Sequence, residues 1–394
     1  MSDSEPIPLV SVIIPNLNGE KLLPMCLGAL KQSISRHCEQ SEAISSFRDF
    51  EVILVDNGSS DDCIGVAKSI LSKINIVSLV ENQGFAGAVQ RGIEASHGEY
   101  IALLNNDAVP DPGWIEAMVR AMVSFPRKRE SSIFSPSEAD ARIGMVACRI
   151  LNQDGTAVDS LGLGAARNGM AVLIGHGDPS SSPPRYPGGN KKGGAVDQEP
   201  PRVESSPESS VSFPRKRESR FSGFAEPFGP SGAAAMYRRE MLDQIGGFPE
   251  RFFCYYEDLW VAWQGRLRGW KCVLAEDAVV KHLGQGTPLS GWRNRSYWIT
   301  LNKWRTILSC WHPKTALRYV PIILWWDFLA LLGDIFSGRF VQAFASRIKA
   351  ISESIYWIEL RKSVTANHAV SLPDCRSWLL PSPRLTELIG RRFR

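Results

Sequence analysis

Continuous apolar runs alternate with amphipathic stretches over the first hundred residues of the chain. The apolar runs cover residues 9–15, 50–55, 74–80 and 100–104. Runs this short and this apolar predict strands that are buried on both faces of a parallel sheet. The stretches with helical spacing of apolar residues cover residues 21–32, 63–72 and 88–96. This alternation predicts a doubly wound, mainly parallel α/β sheet that binds ligands beyond the carboxyl ends of its strands.

Polar loops follow three of these predicted strands, at residues 15–19, 56–62 and 105–108. Asp107 comes directly after the fourth apolar run, and a carboxylate at a strand end suits a metal ion. Asp258 ends the aromatic stretch 252–258, where the exclusion of water suits a general base. The two acidic motifs together indicate metal-assisted transfer from a phosphate-containing donor.

Composition narrows the class of protein. With 394 residues and 44% hydrophobic residues, the chain has material for one large domain and an appendage. The eight cysteines are scattered without C-x-x-C spacing, which argues against a zinc cluster and a disulfide scaffold and favours a reducing cytosol. The acidic N-terminus has no basic segment followed by an apolar one, so no secretory signal is expected.

The last hundred residues differ from the rest in charge. Residues 291–394 hold 16 Lys and Arg against 6 Asp and Glu, a net +10, whereas residues 1–290 hold 29 against 35, a net −6. Eight of the 12 tryptophans lie in the basic segment, which predicts contact with an anionic membrane surface. Nucleic acid is a weaker interpretation, because no nucleic-acid-binding motif accompanies the charge.

The apolar run 320–332 in this tail is interrupted by Asp327 and is shorter than the roughly 20 residues of a membrane span. We expect an amphipathic helix or hairpin that lies in the membrane plane and is flanked by basic residues, with Pro321 as a suitable helix start. The alternative is a helix packed on the main domain or on a dimer partner. The expected location is cytoplasmic, peripheral on the inner face of the cell membrane.

One octapeptide, Ser-Phe-Pro-Arg-Lys-Arg-Glu-Ser, occurs twice, at 124–131 and 212–219. Both copies lie in polar stretches that interrupt the pattern of strands and helices, and no period of packed units accompanies them. We interpret residues 33–49, 124–141 and 178–223 as inserted loops. The predicted organisation is a domain at 1–290 and a basic, Trp-rich helical region at 291–394.

The motifs, taken in order, resemble glycosyltransferase family 2 with its GT-A fold, and most resemble its rhamnosyltransferase-like bacterial members. They are Val-Ser-Val-Ile-Ile-Pro-Asn-Leu-Asn (10–18), Val-Asp-Asn-Gly-Ser-Ser-Asp (55–61), Asn-Gln-Gly-Phe-Ala-Gly (82–87), Leu-Asn-Asn-Asp-Ala (104–108) and Tyr-Glu-Asp (256–258). The resemblance covers about residues 9–290. It implies inverting transfer of a sugar, with rhamnose favoured, from a dTDP- or UDP-sugar to a lipid-linked or cell-surface glycan acceptor.

The resemblance also assigns roles to residues. Asp56 would accept a hydrogen bond from the imide N–H of uracil or thymine, and Asp107 with His282 would hold a divalent cation, Mg²⁺ or Mn²⁺. Asp258 would be the general base, and Glu257 would orient the acceptor or support Asp258. The full donor-binding set is Pro15, Asn16, Asn18, Asp56, Asn82, Gly84, Phe85, Gly87, Asn105 and Asn106. Two residues depart from the family pattern, since Asn105 and Trp260 stand where acids are commoner.

Simpler interpretations remain open for each motif. Asp56 could turn the chain and cap the helix at 63, Asp107 could cap a helix near 114, and the Glu-Asp pair could open the helix at 259. Two other functions also stay open. A nucleotidyltransferase would carry a Gly-rich triphosphate loop after the first strand, which residues 15–19 lack. A non-catalytic membrane-bound scaffold would keep the fold without turnover.

Overall fold

A computed structural model describes residues 8–40, 50–123, 142–181, 227–284, 291–365 and 372–382. In these ranges the strands are β1 (Val10–Asn16), β2 (Phe50–Asp56), β3 (Asn75–Ser78), β4 (Tyr100–Leu104), β5 (Ala108–Pro110), β6 (Arg142–Leu151), β7 (Val158–Ser160), β8 (Leu163–Ala166), β9 (Ala171–Leu173), β10 (Ala234–Arg238), β11 (Trp270–His282) and β12 (Leu379–Leu380). The helices are α1 (Leu23–Gln40), α2 (Cys63–Ile70), α3 (Gly84–Glu94), α4 (Trp114–Val123), α5 (Arg239–Ile245), α6 (Glu257–Leu267), α7 (Gly291–Cys310), α8 (Pro313–Phe336), α9 (Phe340–Ser352), α10 (Ser354–Thr365) and α11 (Leu372–Ser377).

The main sheet has the strand order β3-β2-β1-β4-β10-β6-β11-β5, with β7 beside β6. Strands β3, β2, β1 and β4 are parallel neighbours. Strand β10 is antiparallel to both β4 and β6, and β11 runs parallel to β6. Most strands therefore point the same way, which confirms the predicted α/β class with a mainly parallel sheet. Strands β12, β8 and β9 form a second, smaller sheet.

The central strands are mostly apolar because most of their positions are buried on both faces. In β1, Ile13 packs into the core on the α3 side, whereas Val12 and Ile14 pack into the core that contains Leu27 of α1 and Trp114 of α4. Alternate side chains of one strand thus enter opposite cores. This arrangement explains why the sequence shows continuous apolar runs here instead of an alternating pattern.

The ends of several elements differ from the predicted ones. Helix α1 continues to Gln40, through the first part of the expected loop 33–49, while residues 41–49, 124–141 and 182–226 lie outside the described ranges. Helix α3 begins at Gly84, four residues before the predicted start. Strand β11 is continuous from Trp270 to His282, and its register with β6 shifts between Ala275 and Val279.

The C-terminal helices extend the fold. The side chain of Ser309 in α7 accepts a hydrogen bond from Trp260 Nε1 of α6 at 3.0 Å, in a buried position. Helix α8 is 24 residues long and begins at Pro313, so the predicted start at Pro321 is wrong, and the helix extends beyond the apolar run 320–332 at both ends. In the part of the chain that the structure describes, α8 is the one helix long and apolar enough to cross a bilayer, by length and composition alone.

Candidate functional site

The carboxyl ends of β1, β2 and β4 bring polar side chains together, because parallel strands end at one edge of the sheet. Asn16 and Asp56 are paired in the register of β1 and β2, one residue after the paired Pro15 and Val55. Asn106, two residues beyond β4, donates from Nδ2 to Asn16 Oδ1 at 2.8 Å. All three polar side chains are buried. A cluster of buried amides and a carboxylate at this edge is a polar surface for a ligand.

Asp56 does not cap the following helix. That cap is Asp62, whose side chain accepts from the Gly65 N–H at 3.2 Å. Asp56 Oδ1 instead accepts from the Ser59 N–H at 3.0 Å and lies 3.8 Å from the donating Cys63 Sγ. The carboxylate therefore also closes its own turn, as the simpler interpretation allowed. These contacts fix its orientation at the sheet edge.

Two asparagines tie the loops together. Asn18, at φ +52°, accepts from the Ser60 N–H at 2.8 Å, which joins the loop after β1 to the loop after β2. Asn57 accepts from the Gln83 N–H at 2.8 Å and donates to Asn82 Oδ1 at 3.0 Å. Asn57 was not among the predicted site residues, although it stands beside Asp56 in the same motif. The resulting network presents residues 82–85 to the sheet edge.

Gly84 and Gly87 have different environments. Gly84 is at φ +76°, and a Cβ atom there would lie 2.4 Å from the Phe253 carbonyl oxygen. The same oxygen accepts from the Ala86 N–H at 3.0 Å. A close approach of two backbone segments thus requires glycine at 84. Gly87 lies inside α3 and is a helix residue, not a loop residue.

Asp107, His282 and Asp159 form a chain of charged groups in which Asp107 is buried and the other two are partly buried. His282 pairs with Ala108 in the register of β11 and β5, which brings its Nε2 to 3.4 Å from Asp107 Oδ1. His282 Nδ1 lies 3.1 Å from Asp159 Oδ2. Burial alone would lower the pKa of His282, but hydrogen bonds and charge from Asp107 and Asp159 raise it to about 10. Asp107 does not cap a helix, because α4 begins only at Trp114.

Asp159 was not among the predicted site residues. It lies on β7, in no motif, and it also receives His176 Nδ1 at 3.4 Å. Burial would raise the pKa of Asp159, but hydrogen bonds from His176 and His282 hold it well below its usual range. A carboxylate on one ring nitrogen of a histidine orients the other nitrogen toward a ligand.

These residues fit a divalent cation that is also bound by phosphate. In the described residues, no group of three or more His, Cys, Asp or Glu side chains could hold a metal ion. Asp107 and His282 offer one carboxylate and one imidazole, with Asp159 orienting the imidazole. A phosphate-bound Mg²⁺ typically takes only one or two carboxylates from protein. The pair therefore suits a cation whose remaining ligands come from a diphosphate.

Glu257 and Asp258 open α6, as the simpler interpretation expected. Asp258 Oδ2 accepts from the Gly232 N–H at 3.1 Å, and a Cβ atom on Gly232 would lie 3.3 Å from the ring of Phe85. The next residue, Ala233, accepts from the Asn105 N–H at 2.9 Å. Two hydrogen bonds, through the adjacent residues Gly232 and Ala233, thus connect Asp258 to the Asn105–Asp107 loop. Asp258 also lies beside the predicted donor residue Phe85.

Burial raises the pKa of Asp258, and burial followed by the charge of Asp258 raises the pKa of Glu257 well above its usual range. Within the described residues, Glu257 Oε2 has no hydrogen-bond partner, and the same holds for Asn105 Oδ1 and Asn16 Nδ2. Buried polar atoms without partners are uncommon in native proteins. Their occurrence in these three residues is what a site built for a polar ligand would show.

The turn before α6 has an unusual backbone. Phe253, Tyr255 and Tyr256 have φ of +60°, +68° and +73°, a region that bulky side chains rarely adopt. Each such residue costs of order 1–3 kcal/mol. Asn302 of α7 is fully buried and donates from Nδ2 to the carbonyls of Phe252 at 2.7 Å, Cys254 at 2.9 Å and Tyr255 at 2.8 Å. No sequence signal marked Asn302, which lies more than forty residues away in the predicted tail.

Comparison with known proteins gives this geometry a context. The family model described as "Glycosyl transferase family 2" matches residues 11–127. The chain is similar to the dolichyl-phosphate beta-glucosyltransferase of Homo sapiens, with 30% identity over 131 residues, which is 31% of this chain and 39% of that protein. It is also similar to the glycosyltransferase AglE of Haloferax volcanii, with 33% identity over 113 residues, 28% of this chain and 34% of that protein. The chain thus spans well under half the length of these relatives.

Among solved structures, the mannosyltransferase PcManGT from Pyrobaculum calidifontis, in complex with GDP-Man and Mn²⁺, aligns with a TM-score of 0.47 and 16% identity. The alignment covers 91% of this chain and 86% of that one. Residues 1–349 of S. aureus TarS align with a TM-score of 0.49 and 12% identity, over 91% of this chain and 90% of that one.

Proposed function

Because residues 11–127 belong to glycosyltransferase family 2, we propose that the protein is an inverting, metal-dependent glycosyltransferase. It moves a sugar, with rhamnose the favoured candidate, from a dTDP- or UDP-sugar to a lipid-linked or cell-surface glycan acceptor. The observation that carries the proposal is the position of Asp258. It is joined through Gly232 and Ala233 to the Asn105–Asp107 loop, so a candidate base lies beside a candidate diphosphate site.

The donor nucleotide would lie along the edge formed by β1, β2 and β4. Asp56 supplies a carboxylate whose free lone pairs suit the imide N–H of uracil or thymine. The amides of Asn16, Asn106 and Asn82 supply both donors and acceptors for ribose and phosphate. Asn105, which replaces an acidic residue of the family pattern, contributes an amide without charge. Gly84 approaches Phe253 closely, so the donor loop lies against the turn that leads to Asp258.

Asp107 and His282 would hold a divalent cation between them and the donor diphosphate. When bound, such a cation supplies charge neutralisation to the departing nucleotide diphosphate. Asp159 holds the His282 ring in place through Nδ1. Binding of the cation would require His282 Nε2 to be unprotonated, because only neutral imidazole coordinates a metal.

Asp258 would accept the proton of the acceptor hydroxyl. Its raised pKa makes it a better base than an ordinary aspartate, provided that the carboxylate is ionised when the acceptor binds. Glu257, buried beside it and more strongly shifted, stays protonated more readily. A protonated Glu257 keeps a second negative charge away from Asp258 and offers a hydrogen-bond donor to the acceptor.

The acceptor would be reached at a membrane surface. A relative of the chain is named for dolichyl phosphate, which is a lipid. The C-terminal helices expose large apolar side chains in one part of the chain: Leu317, Leu324, Trp325, Phe328, Ile335, Phe336, Phe340, Val341, Phe344, Ile348, Ile351, Ile355 and Tyr356. Apolar patches of this kind mark interaction surfaces in soluble proteins and membrane contacts in peripheral ones.

Helix α8 buries its two aspartates and exposes several of its large apolar side chains. Its buried residues are Thr315, Ile323, Asp327 and Asp334. Asp327 pairs with Lys303 at 2.5 Å and with Arg347 at 2.7 Å on the inner side. A helix surrounded by water shows the reverse arrangement. This inverted helix supports a peripheral location on the inner face of the cell membrane, with the basic tail at 291–394 as the membrane-associating region.

The experiment is a panel of nucleotide sugars assayed for donor hydrolysis and for transfer, with Mg²⁺, with Mn²⁺ and with chelator. Asp258→Asn is compared with Asp243→Asn, an exposed carboxylate on α5. We expect transfer to fall by two orders of magnitude or more in the first variant and to stay unchanged in the second. Unchanged transfer in Asp258→Asn would refute the base. Binding of no nucleotide sugar would refute the transferase and leave the scaffold, while turnover of a nucleoside triphosphate with a sugar phosphate would favour the nucleotidyltransferase.

A further inference from the structure

We propose that Asn302 of α7 is a positioning residue for the catalytic turn, so that a residue outside the family-matched segment sets the geometry of Glu257 and Asp258. The inference rests on the function proposed above and adds to it a specific task for the C-terminal helices. Four observations support it.

The first observation is the convergence of carbonyl groups. Positive φ values at Phe253, Tyr255 and Tyr256 curl the backbone so that the carbonyls of Phe252, Cys254 and Tyr255 all reach one nitrogen, Asn302 Nδ2. Converging carbonyls repel one another and require a donor at their centre. A neutral amide with two hydrogens supplies that donor without placing a net charge beside the two acids of α6.

The second observation fixes the amide orientation. Asn302 Oδ1 accepts from Arg305 Nη1 at 3.0 Å, and the same guanidinium nitrogen contacts the Arg251 carbonyl. Arg305 is itself held by Glu353, from Nε at 3.0 Å and from Nη2 at 2.8 Å. An arginine can only donate, so the oxygen of the amide must face it and the nitrogen must face the turn.

The third observation is that the turn lies between the donor loop and helix α7. On one side, the Phe253 carbonyl accepts from the Ala86 N–H next to Gly84 of the donor loop. On the other side, the ring of Phe253 stacks on Trp298 of α7, with centroids 4.9 Å apart and 17° between planes. Any shift of the turn would move the donor loop and the start of α6 relative to each other.

The fourth observation is burial. Asn302 is fully buried, and Arg305 and Glu353 are nearly so at their side chains, with 4% and 11% exposed. Water cannot readily replace the lost donor in a truncated variant. The turn would then relax toward unstrained backbone angles, and the carboxylate of Asp258 would leave its place beside Gly232 and Phe85.

The test compares Asn302→Asp with a matched control, Arg238→Gln. Asn302→Asp keeps the shape but turns an acceptor toward three carbonyls. Arg238 is also buried and also donates to backbone carbonyls, those of Ile143 and Met122, but it lies at the opposite end of β10 from the site. Arg305→Lys keeps the positive charge but loses the planar guanidinium group that donates to Asn302 and Glu353 together. It serves as a milder variant if Asn302→Asp does not fold.

The measurements are amide hydrogen exchange of peptides covering 250–258, UDP affinity by calorimetry, and turnover of the best donor from the panel. In Asn302→Asp we expect at least tenfold faster exchange in 250–258, at least tenfold lower turnover, and UDP affinity within threefold of the parent. Arg238→Gln should leave all three unchanged at a comparable loss of melting temperature. The inference would be overturned if Asn302→Asp left amide hydrogen exchange in 250–258 unchanged. An equal fall of turnover in Asn302→Asp and Arg238→Gln would also overturn it. If the parent protein transfers no sugar, the proposed function fails, while exchange still decides whether Asn302 holds the turn.

Discussion

Gly84 offers a sharp test of the contact between the donor loop and the catalytic turn. We predict that Gly84→Ala destabilises the protein more than Gly246→Ala does. Both glycines have positive φ, +76° and +82°. The space around them differs, because a Cβ atom on Gly84 meets the Phe253 carbonyl oxygen at 2.4 Å, whereas on Gly246 it meets no atom within 4 Å.

The expected magnitude has two parts. Placing an L-residue in the left-handed region costs roughly 1–2 kcal/mol, and this part is common to both variants. The second part applies only to Gly84→Ala. Its clash is with backbone, which cannot rotate away, and overpacking of this kind costs typically 1–3 kcal/mol. We therefore expect a loss of about 1–2 kcal/mol for Gly246→Ala and about 2–5 kcal/mol for Gly84→Ala.

The assay is urea unfolding of parent and variants, followed by nucleotide-sugar turnover under conditions where each variant is fully folded. Turnover should fall in Gly84→Ala, because the displaced Phe253 carbonyl loses its bond from the Ala86 N–H and shifts the turn before Asp258. Turnover should be retained in Gly246→Ala. Equal free energies of unfolding for the two variants would refute the claim that the donor loop and the turn are in direct, rigid contact.

Three further outcomes are expected. Asp56→Asn should weaken UDP binding about tenfold or more, measured by calorimetry, because an amide donor then faces the imide N–H, while Asp62→Asn, which alters only a helix cap, should not. Glu257→Gln should gain stability relative to the parent as pH rises from about 5 to about 8 in urea unfolding. The raised pKa of Glu257 means that the folded state keeps a proton that the unfolded chain releases above its usual pKa of about 4.3, so the parent loses stability with rising pH and the glutamine variant escapes that loss. Trp325→Ser should reduce cosedimentation with phosphatidylglycerol vesicles several-fold, and Leu173→Ser, at an exposed site outside the tail, should have no effect.

The strands of the sheet were predictable because each is marked by a few consecutive residues. Strands buried on both faces are mostly apolar, so β1, β2 and β4 were visible as apolar runs. The start of α3 was not visible, because Gly84 and Gly87 suggest a loop on local grounds. Tertiary packing overrides that preference. Helix α3 packs so closely on β1 that a Cβ atom on Gly92 would lie 2.4 Å from Ile13 Cγ2, so small residues are needed along this helix.

The candidate site was predictable to the same extent. Asp56 and Asp107 follow strands directly, and the carboxyl ends of parallel strands meet at one edge. Asp159 and Asn302 reach the site from β7 and α7, and nothing in their neighbouring residues indicates which partners they meet. Positioning residues of this kind depend on pairings across more than forty residues of chain. Single-sequence patterns carry no signal for such pairings.

The tryptophans of the tail do not lie where its composition predicted. Its tryptophans suggested rings at headgroup depth, yet Trp311 and Trp357 are buried in the core and Trp298 stacks on Phe253 of the catalytic turn. Among the described tail tryptophans, Trp325 is the exposed one. The membrane proposal therefore depends on the aliphatic and phenylalanine side chains of α8, α9 and α10, and on the buried pairing of Asp327 that turns the apolar face of α8 outward. Since α7 both carries Lys303, the partner of Asp327, and carries Asn302, the same helix joins the proposed membrane face to the catalytic turn.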